Sequence, residues 1–574
     1  MWRWLVRALA VIGALALLVS VGLAAAVWLV LAREPELPDR MVLTLDLREG
    51  LDEIAPGDLL SALGFDDRPT LTDAVLALQA AAQDERVAGL IARVDGEGFG
   101  YAALQELRDA IAGFRAQGKF AYAHADAFGE FGPGTSGYYL ATAFEQIHLQ
   151  PIGALGLTGL LIETPLLRGL FDKVGVQPAG DKRGRYKTAA DMFTETEMTP
   201  AHRESLEELA DSLDRQIREG LSQGRALDAP TVDRLIDGGP YMASEAAEAT
   251  LVDRLSYWDE VVEQARTEAG GDVEPIGLET YRRLGGAQPP EDAPVIALVY
   301  GVGQIQRGAS DYGPAGGWIM GGDTVASALE AAIDDPEVAA ILFRIDSGGG
   351  SAVASDTIGR QVRRANERGK PVIASMGNVA ASGGYWIAMD AAQIVAGPGT
   401  LTGSIGVFAG KPVLSELWQE LGVNWGRVER GANADMWSTQ VDFSERGRAR
   451  LQAFLDHTYA AFLEGVARGR DLPEAKVRAA AEGRVWTGAQ ARELGLVDDL
   501  GGFTRAVELA REAAGVEPDQ AVELRRFPPT RPPWERALEL LGGAGTGFEL
   551  VGILQAWLRL LTPGGLRAPP LIVR

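Results

Sequence analysis

Ser382 stands in the run Ala380-Ala381-Ser382-Gly383-Gly384-Tyr385-Trp386, after a stretch that reads as a strand and before one that reads as a helix. A hydroxyl at such a junction is either a helix cap, for which serine is preferred, or a group presented to substrate beside the N–H groups of a helix start. As a nucleophile it needs a base. The chain has no cysteine, which excludes disulfides, thiolate catalysis and zinc–thiolate sites. Its four histidines, His124, His148, His202 and His457, have no close metal-helix spacing, and none lies near a glycine-rich turn of the second half. Lysine is also scarce, with seven in the chain. Lys187, in Asp181-Lys182-Arg183-Gly184-Arg185-Tyr186-Lys187, reads either as a solvated surface lysine or as that base. A base must be neutral, so its pKa has to fall from about 10.4 to about 7–8, a cost on the order of 4 kcal/mol. Burial and hydrogen bonding to hydroxyls supply shifts of that size, whereas arginine does not deprotonate in proteins.

An internal repeat ties the two residues together. Gly137-Tyr138-Tyr139-Leu140-Ala141 matches Gly384-Tyr385-Trp386-Ile387-Ala388, and Gln146-Ile147, Pro151, Gly156, Gly159, Gly175-Val176 and Arg183-Gly184 all recur 247 residues later. Leu251-Val252-Asp253 echoes Leu496-Val497-Asp498. A register held that long reads as internal duplication. At this offset Ser382 aligns with Thr135 and Lys187 with Ala434, so each half owns one of the two groups. The simplest reading is one composite Ser-Lys site per chain.

The elements expected to position these groups alternate between short apolar runs and helical runs. Strands are expected at residues 41–46, 87–94 and 120–123, and again at 295–299, 338–345 and 371–375. Helices are expected at 71–82, 101–117, 324–333 and 355–368. The pattern predicts βαβ units and a largely parallel sheet in each half. The second strand of the later half ends at Asp346-Ser347-Gly348-Gly349-Gly350, where successive glycine N–H groups can form an anion-accepting nest. Amides of Gly349 and Gly383 would suit an oxyanion hole for acyl transfer. The rival reading, a phosphate loop, lacks the Gly-Lys-Ser/Thr ending. Ser404, in Leu401-Thr402-Gly403-Ser404-Ile405-Gly406-Val407, is either a loop serine bonded to backbone or a group that holds the lysine amine in line. No G-x-S-x-G elbow surrounds Ser382, so the α/β-hydrolase signature does not apply.

A net charge of −25 argues against nonspecific nucleic-acid binding. Residues 8–32 carry no charge, are rich in Leu, Val and Ala, and are long enough to cross a bilayer. Arg3 and Arg7 precede them and Glu34, Glu36 and Asp39 follow, which places the amino end in the cytoplasm. A cleaved signal peptide is the competing reading, with Ala24-Ala25-Ala26 as its cut site. Residues 548–561 read as an amphipathic segment.

Together these residues resemble the long form of bacterial signal peptide peptidase A, in the S49 family of Ser-Lys peptidases. The resemblance lies in Tyr186-Lys187, Arg344-Ile345-Asp346-Ser347-Gly348-Gly349-Gly350-Ser351, Ala381 through Trp386, Thr402-Gly403-Ser404-Ile405-Gly406, Gly483-Arg484-Val485-Trp486-Thr487-Gly488 and Gly495-Leu496-Val497-Asp498. It implies an α/β fold of two tandem ClpP/crotonase-like repeats behind an amino-terminal transmembrane helix. The expected division is an anchor at 1–39, a Lys-supplying repeat at 40–275, a linker at 276–293, a Ser-supplying repeat at 294–517 and a tail at 518–574. It also implies that Ser382 is the nucleophile, Lys187 the general base and Ser404 its positioning partner, with the Gly349 amide in the oxyanion hole. No metal or cofactor is expected. The implied partners are signal-peptide remnants and other apolar peptides, the lipid bilayer through residues 8–32, and three further copies in a bowl-like tetramer on the outer face of the cytoplasmic membrane. The family usually carries Asn-Ser-Pro-Gly-Gly where this chain has Asp346-Ser347-Gly348-Gly349-Gly350; Gly348 in place of proline frees the loop in the unfolded state and Asp346 brings a charge where an amide is usual, two departures that leave the core pair intact and the level of activity open. Two rival functions share the glycine-loop chemistry: a crotonase-like acyl-thioester enzyme and a catalytically impaired membrane scaffold.

Overall fold

The computed structural model describes residues 37–55, 68–96, 98–271, 273–286, 290, 292–312, 317–517, 520–529 and 572–573. The apolar stretch 8–32 and the segment 548–561 lie outside them. Among the described residues, no helix is long and apolar enough to cross a membrane.

Each half contains the same six-strand parallel order, to which the second adds Leu401–Gly403, parallel to Val372–Ala381, and Val485–Thr487, antiparallel to Leu401–Gly403. In the first, Pro275–Gly277, Met41–Leu47, Val87–Val94, Phe120–Ala125, Gln146–Leu149 and Arg254–Leu255 lie side by side in that order. In the second, Glu523–Phe527, Val295–Val302, Val338–Ser347, Val372–Ala381, Gln393–Ala396 and Asp499–Leu500 follow the same order. The first edge strand runs into the stretch expected as a linker, where Leu278 and Tyr281 of the helix Leu278–Tyr281 are buried. The second edge strand lies in the stretch expected as a tail. Both are short and lack strong β-branched runs, so only their sheet neighbours mark them as strands.

Side-chain alternation along the strands assigns each sheet face. In the first sheet, Val42, Ile91, Phe120 and Tyr122 pack on Val261 and Ala265 of the helix Trp258–Glu268 and on its C-cap Ala269. Leu43, Leu45, Leu90 and Ala92 face the other way, onto the helices Leu71–Gln83 and Tyr101–Ala116. That same core takes in Ile296, Leu298, Leu342 and Ile373 of the second sheet and Phe503, Ala506 and Leu509 of the helix Phe503–Ala513. Ala297, Val299, Ile341 and Phe343 point outward, to the helices Gly322–Asp334 and Ala352–Glu367. The layers therefore run helix, sheet, helix, sheet, helix, and the central helical layer is shared by both halves.

The echoed Leu-Val-Asp motifs have a physical basis in this arrangement. Tyr138 donates to the Leu251 carbonyl at 2.7 Å, and Tyr385 donates to the Leu496 carbonyl at 2.8 Å. The Ile147 and Ile394 amides each donate to a carboxylate, of Asp253 and Asp498, at 2.7 Å. These bonds fasten the short helix of each half to its own sheet edge.

Candidate active site

Ser382 follows the strand Val372–Ala381 and precedes the helix Gly383–Ala388. Its backbone sits at φ 56°, ψ −116°, a strained region for a non-glycine residue. Two neighbours hold it there: its N–H donates to Gly403 O at 2.9 Å, and its carbonyl accepts the Trp386 N–H at 2.9 Å. The side chain makes no capping bond to the helix. Tyr385 and Trp386 are buried and anchor the helix, with Trp386 packed on Phe462.

Lys187 arrives from the other half. The strand Gln177–Arg183 pairs antiparallel with Val407–Val413 over seven residues, from Val407 opposite Arg183 to Val413 opposite Gln177. Beyond that strand the chain turns at Gly184, and the Tyr186 N–H donates to the Glu482 carbonyl at 2.7 Å. Lys187 is 3% exposed. Its Nζ lies 2.9 Å from Ser382 Oγ, 2.9 Å from Ser404 Oγ and 2.8 Å from the Ser404 carbonyl. Ser404 is held in turn by its own N–H, which donates to the Arg484 carbonyl at 2.7 Å. Ser404 and Glu482, like Ser382, have positive φ, at 52° and 56°. Strained backbone is thus concentrated around the amine.

Burial alone brings the Lys187 pKa down to about 7. Among the described residues no carboxylate pairs with the amine to offset the cost of desolvating an ammonium. A neutral amine has two N–H groups and one lone pair. With the N–H groups on the two Ser404 oxygens, the lone pair faces the Ser382 hydroxyl, which is the geometry of a general base.

The glycine loop abuts Ser382. A Cβ on Gly349 would lie 2.6 Å from the Gly383 nitrogen and 2.9 Å from Ser382 Cβ, so only glycine fits. The Gly349 N–H donates to Ser347 Oγ at 3.1 Å. Among the described residues, the Gly350 and Gly383 N–H groups have no intramolecular acceptor. Gly350 was not among the candidates read from the sequence.

In the first half the equivalent position is closed. Thr135 is buried and its Oγ1 accepts the Thr158 N–H at 3.3 Å. Ala434 lies in an exposed turn.

A family model for peptidase family S49 matches residues 118–272 and again 364–517. The chain belongs to peptidase family S49. Its two matches fall on the two halves, which makes the halves tandem S49 domains. The chain is 31% identical over 487 residues to Protease 4 of Haemophilus influenzae, covering 81% of this chain and 77% of that protein. It is 32% identical over 460 residues to Protease 4 of Salmonella typhi, covering 78% and 72%. The chloroplastic serine protease SPPA of Arabidopsis thaliana is 30% identical over 490 residues, covering 84% and 70%. Among solved structures, a point mutant of ClpP1 from Listeria monocytogenes is 11% identical, covers 37% of this chain and 94% of its own, and has a TM-score of 0.22.

Behind the S49 site lies a charged cluster that sequence reasoning missed apart from Asp346. Arg344 is fully buried. Its guanidinium donates to Glu53 at 2.9 and 2.5 Å, to Glu106 at 2.7 and 3.0 Å, and to Ser375 Oγ at 3.0 Å. Glu53 and Glu106 come from the first half, so the cluster bridges the two S49 domains. The available signal was an arginine within the apolar run 338–345 of the strand Val338–Ser347, since a buried charge needs partners.

Proposed function

We propose that this S49 peptidase is a membrane-anchored serine endopeptidase that cleaves extended apolar peptides, signal-peptide remnants among them, at the outer face of the cytoplasmic membrane. The observation that carries the reading is the 2.9 Å contact between Lys187 Nζ and Ser382 Oγ, made by a buried amine that has no counter-ion among the described residues. Neutral Lys187 takes the Ser382 proton as the hydroxyl attacks a peptide carbonyl. The oxyanion settles among the Gly383, Gly350 and Gly349 amides, the last now shared with Ser347 Oγ. The Lys187 ammonium then donates to the leaving amine, and water attacks the acyl-enzyme with Lys187 again as base. The anchor is residues 8–32, whose charge asymmetry puts the S49 domains outside. The test is hydrolysis of an apolar reporter peptide, together with labelling by a fluorophosphonate probe. Ser382→Ala loses both, and Lys187→Met loses hydrolysis while staying folded. Full activity in either variant sinks the reading.

The family resemblance implies a tetramer, and the repeat supplies a geometric route to one. Within the chain, Val407–Val413 pairs with Gln177–Arg183. The repeat-equivalent segments are residues 160–166 and 424–430. Residues 424–430 are exposed and in no strand, with Trp425 57% and Val428 86% exposed. Part of the other edge, Ile162–Glu163, pairs with Ile572–Val573. We infer that copies join head to tail by repeating the internal pairing between chains, and that this heterologous contact closes into a ring of four.

A further inference from the structure

The strand that delivers the nucleophile is not regular. Its parallel register to Val338–Ser347 runs from Ile341 opposite Val372 to Ile345 opposite Met376, then jumps to Ser347 opposite Ala380. Asp346 alone thus faces the bulge Gly377-Asn378-Val379, which ends three residues before Ser382. The Asp346 side chain fills the gap in the ladder. Its Oδ1 accepts the Val379 N–H at 2.9 Å, and its backbone carbonyl accepts the Gly303 N–H at 2.9 Å.

Its surroundings are short of positive charge. The charged groups facing Asp346 are Glu53, Glu106 and Arg344. One guanidinium serves three carboxylates, and its bonds to carboxylates go to Glu53 and Glu106, none to Asp346. The space over Gly377 is bordered by Glu53 Oε1 and by Asp346 Cγ, 3.0 and 3.3 Å from where a Cβ would sit. Two ionised carboxylates around that point repel, and a single proton relieves them. Burial raises both Glu106 and Asp346 above the usual carboxylate range, and the Glu53 charge adds to it. The bidentate guanidinium keeps Glu106 ionised, which leaves the proton to Asp346.

We propose that Asp346 is a positioning residue that works in its protonated form, accepting the Val379 N–H through one oxygen and donating its proton toward Glu53 through the other. A neutral carboxyl then has the donor–acceptor polarity of a carboxamide. It holds the bulge that sets Ser382 against Lys187. Ionisation places a further negative charge in the cluster and loosens that bulge, so activity falls on the alkaline side. The inference rests on Ser382 being the nucleophile.

The experiment compares full-length wild type, Asp346→Asn and Asp346→Ala, reading kcat, KM and the rate of fluorophosphonate labelling from pH 5 to 10. Wild type is expected to rise with Lys187 deprotonation and then to fall. Asp346→Asn, which carries the carboxamide permanently, keeps the rise, works at least as fast as wild type and loses the alkaline fall. Asp346→Ala loses at least tenfold in kcat with KM little changed. An alkaline limb that is absent from wild type, or is unchanged in Asp346→Asn, overturns the proposal, as does a folded Asp346→Asn slowed tenfold or more. Ser382→Ala run beside them separates the two readings: if it still hydrolyses peptide, the nucleophile assignment fails; if it is inactive while the limb stays put, only the role of Asp346 fails.

Discussion

Gly483 lies flat against the backbone of Lys187: a Cβ on it would sit 2.5 Å from the Lys187 nitrogen and 2.7 Å from its Cα. The φ of Gly483 is +79°, so a side chain there is strained as well as obstructed. Lys187 is thus set from behind by a glycine of the other half.

Gly483→Ala is therefore expected to push Lys187 away from Ser382 without removing either group. A displacement near 1 Å costs about a hundredfold in rate. Steady-state kcat on an apolar reporter peptide, with circular dichroism to verify folding, checks this. Activity within threefold of wild type would show that the amine position is not fixed from behind.

Catalysis is expected to rise with pH as Lys187 loses its proton. The amine titrates at about 7 in the folded protein, so the labelling rate of Ser382 should climb tenfold per pH unit below that point, ahead of the alkaline fall assigned to Asp346. A rise centred near 10 would mean that the amine is solvated.

Removing the lysine is expected to stabilise the fold near neutrality while abolishing activity. Between about pH 7 and 10.5 the unfolded chain binds a proton that the folded chain does not, so stability increases with pH across that window. Below pH 7 the cost of the buried ammonium is present in full, and above 10.5 it is gone. Lys187→Met lifts this cost, by at most ~5 kcal/mol. Thermal melts at pH 6 and pH 10 should show the variant gaining most at pH 6, and the opposite ordering counts against a buried amine.

Ser404→Ala removes one of the two Ser404 acceptors and leaves its carbonyl in place. A hydrogen bond of this kind is worth about 1–1.5 kcal/mol, which is roughly tenfold in kcat. KM should stay constant, because Ser404 touches the base and not the proposed substrate path. A pure KM effect argues for a substrate contact instead.

A proline at Val428 blocks strand pairing along residues 424–430. Val428→Pro is expected to shift the assembled protein toward monomer in light scattering while single-chain chemistry survives, since Lys187 and Ser382 meet within one chain. An unchanged oligomer shows that copies join elsewhere.

Much of this protein is written locally. The β-strand runs at 87–94 and 338–345, the helices near 71–82 and 355–368, and the repeat that relates them follow from periodicity and spacing. So do the two candidate groups of the proposed site, because one half carries the serine, the other the lysine, and arginine cannot act as a base. What the chain order could not supply is the meeting itself. Ser382 reads as a cap until its hydroxyl is seen bonded to an amine 195 residues away. Lys187 reads as a surface lysine until the antiparallel pairing of Gln177–Arg183 with Val407–Val413 carries it inside. The short edge strands Pro275–Gly277 and Glu523–Phe527, and the carboxylates Glu53 and Glu106 on Arg344, were equally silent. The physical reason is the same each time. Local propensity fixes the form of a segment, but desolvation, and with it the charge state of a lysine or an aspartate, depends on which distant surfaces close over it.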